Sequence, residues 1–145
     1  MKLRFYHHLM MALVALVMLL VGCKKEETID FEVPSDSILI EIGGYGREGT
    51  TTFTSENVSA VDVTSTPAGW EVVDIDMYSK SITVKAPSYE AVYPVDDEAD
   101  DKAQMSGMVT LKVYTPSGKN LLVNIYVAIL LNPDVNYVDT PANCY

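Results

Sequence analysis

The chain has no histidine after His8, only two cysteines, a single tryptophan and half as many basic as acidic side chains. Each shortage excludes something. His7 and His8 precede an apolar run, Leu9 to Val21, of the kind that is cut away on secretion. Without them the protein holds no imidazole, which rules out histidine-dependent triads and His-ligated metal, and removes the commonest general base. Cys23 and Cys144 are too few for a cysteine zinc cluster. The scarcity of Lys and Arg gives a net charge of −10, a field that repels nucleic acid and anionic surfaces. A nucleic-acid partner is therefore not expected.

What is present begins with "MKLRFYHH" and the apolar run after it. Lys2 and Arg4 form a basic start, thirteen uncharged residues follow, and Gly22 supplies a small residue at the cut. A membrane-spanning helix needs roughly 20 apolar residues, so the run is too short to be one. Cleavage after residue 22 takes Lys2 and Arg4 away, leaving 8 of the 10 basic side chains against 20 acidic ones, net −12. The remaining 123 residues suit one domain.

Leu20-Val21-Gly22-Cys23 resembles the lipobox of bacterial lipoproteins. The resemblance implies cleavage just before Cys23 and acylation of that residue on its sulfur and its new amino group. One acyl chain binds a membrane marginally and several bind firmly, at about 0.8 kcal/mol per buried CH₂. The alternative is a plain secretory signal with an incidental cysteine. If Cys23 is lipidated, Cys144 is the one thiol left and no intrachain disulfide can form. Lys24-Lys25-Glu26-Glu27 is similar to the surface-export signal of gut-bacterial lipoproteins, which implies the outer membrane and its exterior face. An ordinary solvated tether is the alternative there.

Four segments follow: a lipoprotein signal peptide over 1–22, a lipidated cysteine and tether over 23–36, a β-domain over 37–131, and a linker or tail over 132–145. Within the domain, short β-rich runs alternate with turn residues. Strands are expected near Ile38–Ile42, Thr51–Ser55, Val58–Thr64, Trp70–Met77, Ser81–Ala86, Met108–Thr115 and Leu121–Leu130. Val109, Leu111 and Val113 form one inward row; Leu121, Val123, Ile125, Val127 and Ile129 form another. "TPSGKN" (115–120) reads as the turn of a hairpin. About seven strands in roughly a hundred residues point to an all-β, antiparallel immunoglobulin-like sandwich, with a small closed barrel as the alternative.

Phe53 to Asn57, Pro67-Ala68-Gly69-Trp70, the run from Ile82 to Pro87, and Ser106-Gly107 carry a further resemblance. Over residues 38–131 the chain resembles the Ig-like modules, related to BACON domains, near the N-termini of gut-bacterial surface lipoproteins. The resemblance implies a non-catalytic module that handles glycan, adheres, or spaces other parts from the membrane.

Gly44-Tyr45-Gly46-Arg47-Glu48-Gly49 matches G-x-G-x-x-G, but a dinucleotide loop must open a helix. This one opens onto β-branched residues, so its glycines are expected to serve a loop between strands. Asp96, Asp97, Glu98, Asp100 and Asp101 lie in one insertion without the spacing of a calcium loop, and read as a solvated acidic loop. Tyr89 and Tyr93 flank that insertion. They are the candidate ligand-binding residues, suited to stacking on sugar rings, with pinning of the loop as the alternative. Asp74 and Asp76 share one open strand face and make no glycosidase cleft. Trp70 is expected in the core, with a sugar platform as the alternative. No catalytic residue, cofactor or metal is expected. The expected partners are the membrane, through the lipid, and a glycan or surface protein.

The last stretch, "LNPDVNYVDTPANCY" (131–145), reads as a linker. "ANCY" resembles the opening of a further β-domain, which implies a shortened member of the group that has kept its anchor and first module. A complete small lipoprotein is the alternative.

Overall fold

The structure is a computed structural model that describes residues 27–95 and 101–133. The expected signal peptide, Cys23, the acidic residues 96–100 and Cys144 lie outside those residues.

Among the described residues nine strand segments form: β1 (Asp30–Glu32), β2 (Ser37–Ile40), β3 (Glu48–Thr52), β4 (Thr54–Glu56), β5 (Ala60–Ser65), β6 (Glu71–Asp76), β7 (Ser81–Lys85), β8 (Ser106–Tyr114) and β9 (Asn120–Ile129). A one-turn helix, α1 (Tyr89–Val92), lies between β7 and β8. β2-β9-β8-β5 make one sheet, β3-β7-β6 a second, and β1 pairs with β4. Pairing is antiparallel except between β2 and β9. The order β5-β8-β9 opposite β3-β7-β6 is the strand order of immunoglobulin sandwiches. The chain is an immunoglobulin-like β-sandwich.

Alternation along the strands builds the core. Val109, Leu111 and Val113 of β8 pair with Ile125, Val123 and Leu121 of β9. Val109, Leu111, Val113, Ile125 and Val127 are fully buried, as are Ile82 and Val84 of the other sheet. Each such side chain contributes about 1.5–3 kcal/mol relative to exposure. The inward row of β9 holds from Ile125 to Ile129, but Leu121 at its hairpin end is 41% exposed.

Two differences from the sequence reading matter. The expected run Thr51–Ser55 is split at Phe53, whose ring enters the core and stacks on Phe31 at 4.7 Å. Phe31 belongs to β1, inside the stretch expected as tether, so the sandwich already has a strand seven residues before position 37. Three residues are too few to show a period.

Strand direction defines two poles. β9 runs from the 115–119 turn to Leu130, about 30 Å at ~3.3 Å per residue. At its start lie the 57–59 turn, where Ser59 N donates to Tyr114 O (2.8 Å), and the 77–80 turn joining β6 to β7. At its end lie the 41–47 loop, α1 and residues 103–105, with Leu130 N donating to Ile40 O and Ile129 N to Met105 O, each 2.9 Å. On one side β2 and β3 approach closely: a Cβ on Gly49 would sit 2.5 Å from Ile40 Cδ1. On the other side, the outermost strands β5 and β6 each carry a bulge, at Val63/Ser65 and Val72/Asp74.

Candidate functional site

The site lies at the β9-end pole and is assembled from three separate stretches. The glycine loop turns with Gly43 and Gly46 at φ +73° and +71°, values that L side chains rarely adopt. It opens β3, not a helix. Gly46 N donates to Pro87 O and Ala86 N to Arg47 O, both 2.8 Å, which fastens the loop beside α1. Ser88 caps that helix by accepting from Ala91 N (3.2 Å), and the Tyr93 N–H closes it on Tyr89 O (2.8 Å). Val92 is buried, and Ala103 N donates to Ala91 O (2.9 Å), so the turn is held on both sides.

Tyr45 from the glycine loop meets Tyr89 edge-on at 5.2 Å and Tyr93 at 6.2 Å, while Tyr89 and Tyr93 stand 5.0 Å apart. Such spacings favour aromatic pairs by about 0.5–1.5 kcal/mol beyond area burial. The Tyr93 hydroxyl donates to Met105 Sδ at 3.4 Å. Tyr89 is nevertheless 56% exposed and Tyr93 42%. With Ile42, Gly43 and Leu130 the three rings line an open cleft of 410 Å³.

The two candidate tyrosines are therefore brought together. Their contacts with Tyr45 and Met105 tie α1 to the glycine loop and to the residues leading into β8, and both rings remain partly exposed. Sequence reasoning missed Tyr45, Ile42 and Leu130 as their companions. The available signal for Tyr45 was an aromatic between two glycines, neighbours with no side chain to cover it.

The cleft is apolar and aromatic, lined by Ile42, Leu130 and the three tyrosine rings. Glu41 and Arg47 pair nearby at 3.3 Å, both well exposed, a contact worth ~0–1 kcal/mol. Among the described residues no three of His, Cys, Asp and Glu gather as a metal set. Asp76, one of the strand carboxylates, is engaged by its own turn. It accepts from Tyr78 N (2.7 Å) and Ser79 N (3.1 Å). Hydrogen bonds from the Ser79 side chain first, then from those amides, hold its pKa below the usual carboxylate range. Trp70 lies in the core, 5% exposed, with its indole N–H donating to Gln104 O at 2.7 Å.

No family model matches the chain, and no curated protein does. Among solved structures it is similar to a mutant SrpA adhesin from Streptococcus sanguinis, at 12% identity and a TM-score of 0.43, over 74% of this chain and 58% of that one. It is also similar to the BIgI domain of beta protein from S. agalactiae, solved bound to CEACAM1, at 15% identity and 0.40, over 72% and 99% of the two chains. At these values the likeness names no ligand.

Proposed function

We propose that the chain is a non-catalytic, lipid-anchored surface module whose tyrosine cleft receives a sugar ring of a glycan, serving adhesion. The observation that supports this is the convergence of Tyr45, Tyr89 and Tyr93 on one open cleft. Tyrosines present an apolar face for the C–H side of a pyranose and hydroxyls for its polar edge, the combination of apolar lining and few polar groups that small-ligand sites use. Among the described residues no acid–base pair lines the cleft, which accords with binding without turnover.

A glycan array probed with the full chain tests the cleft. Binding is expected to at least one sugar class, with a loss of about tenfold or more, 1.4 kcal/mol per decade, in Tyr89→Ala and in Tyr93→Ala. A blank array from folded protein would sink the glycan reading. It would favour a structural spacer, which a second observation supports: Glu27 and Leu130 lie at opposite poles of the sandwich.

The anchor is tested separately. Cys23→Ala is expected to move the protein from the membrane fraction to the soluble fraction. Unchanged fractionation, with no acyl mass on the unmodified chain, would remove the lipoprotein reading.

A further inference from the structure

The pole away from the cleft is built around the first described residue. Ser117 Oγ donates to the Glu27 carboxylate, and Asn57 Nδ2 donates to its Oε1 at 3.3 Å. Lys119 Nζ donates to the Glu27 backbone carbonyl at 3.3 Å, and Asn57 also reaches Thr28 O at 3.4 Å. The Ser117 hydroxyl is the main cause that holds the Glu27 pKa below its ordinary value. Residue 27 is thus latched to the 57–59 and 115–119 turns. At the same pole Tyr78, on the 77–80 turn, is 98% exposed, and Leu122 near the start of β9 is 58% exposed.

We propose that this latched pole is a membrane-contacting surface, with Tyr78 at the lipid headgroup layer and the tyrosine cleft held on the far side. The proposal rests on the lipid anchor at Cys23. From Cys23 to Glu27 the chain can reach at most ~14 Å, four steps at 3.3–3.6 Å each. The latch, together with β1, whose Asp30 pairs with Glu56 beside the 57–59 turn, denies the anchor the slack that a tether to residue 36 would give. Glu27 and the turns bound to it therefore stay near the lipid, whereas the cleft lies about 30 Å further along β9. Tyrosine suits the headgroup layer because its ring is apolar and its tip is polar. The net −12 of the processed chain opposes laying a long face of the sandwich on anionic lipid.

Tryptophan quenching tests the orientation, since the chain has one tryptophan, the buried Trp70. The full chain, purified with its lipid, is reconstituted in phosphatidylethanolamine–phosphatidylglycerol vesicles carrying brominated acyl chains. The fluorescence added by Tyr78→Trp is expected to fall at least twofold relative to unbrominated vesicles, and that added by Glu90→Trp, on α1, to stay unchanged. Adding Glu27→Ala to Tyr78→Trp is expected to restore at least half of the lost signal. Equal quenching at both positions, or none at 78 in vesicle-bound protein, overturns the proposal. Unchanged quenching in the Glu27→Ala background overturns the role of the latch. Flotation and intact mass separate these results from failure of the anchor. Protein that neither floats nor carries acyl mass disproves lipidation at Cys23, and the membrane-contacting surface falls with it.

Discussion

Replacing Trp70 with alanine is expected to lower the melting temperature by roughly 15–30 °C, from a loss of about 3–5 kcal/mol in a domain of about a hundred residues. The indole, on the residue just before β6, lies in the core, and its N–H joins the start of β6 to the residues leading into β8 through Gln104 O. The backbone around it is equally committed: Trp70 N donates to Pro67 O (3.0 Å) and Gln104 N to Ala68 O (2.9 Å). Trp70→Phe keeps most of the ring volume and leaves Gln104 O without its donor, at a cost of about 1–3 kcal/mol. Urea unfolding followed by far-UV circular dichroism measures both. A Trp70→Ala loss under ~1 kcal/mol would show that the ring is peripheral to the fold.

Gly69→Ala is expected to cost about 2–5 kcal/mol, while Gly118→Ala, also at positive φ, costs about 1–2. The two share the backbone penalty and differ in room. A Cβ at Gly69 (φ +82°) would run into the Ala103 Cβ and lie 2.9 Å from Pro87 Cβ. At Gly118 (φ +89°), in the β8–β9 turn, nothing lies within 4 Å. The difference between the two midpoints isolates the packing of the 67–70 loop on residues 87 and 103. Equal midpoints would mean that this loop gives way without cost.

Much of the sandwich was legible because its strands alternate. Val109, Leu111 and Val113 announce a half-buried strand, and the turn at 115–119 follows from its proline, serine and glycine. What could not be read is how far a covering layer reaches. Leu121 pairs with the buried Val113 and still stands exposed, because alternation reports a face and not its cover. β1 was missed for a different reason: Asp-Phe-Glu gives one apolar residue and no period, although Phe31 closes the core against Phe53. The cleft was half legible. Tyr89 and Tyr93 share a short segment, whereas Tyr45 arrives from forty-four residues earlier through a loop whose glycines read only as turn chemistry. Long-range convergence of that kind is set by sheet order, which local pattern does not encode.

The bulges in β5 and β6 bear on crowding. A sheet's outermost strand presents unpaired amides and carbonyls that a second molecule can adopt as its own ladder, and molecules held on a common surface meet edge to edge at high local concentration. An extra residue at Val63/Ser65, at the end of β5, and at Val72/Asp74, within β6, throws the spacing of that ladder out of step. A visiting strand would match two to four positions before losing register. The opposite side offers less, since β2 folds onto β3 there. Copies brought together at high concentration are thus not templated into a continuous ribbon along that side.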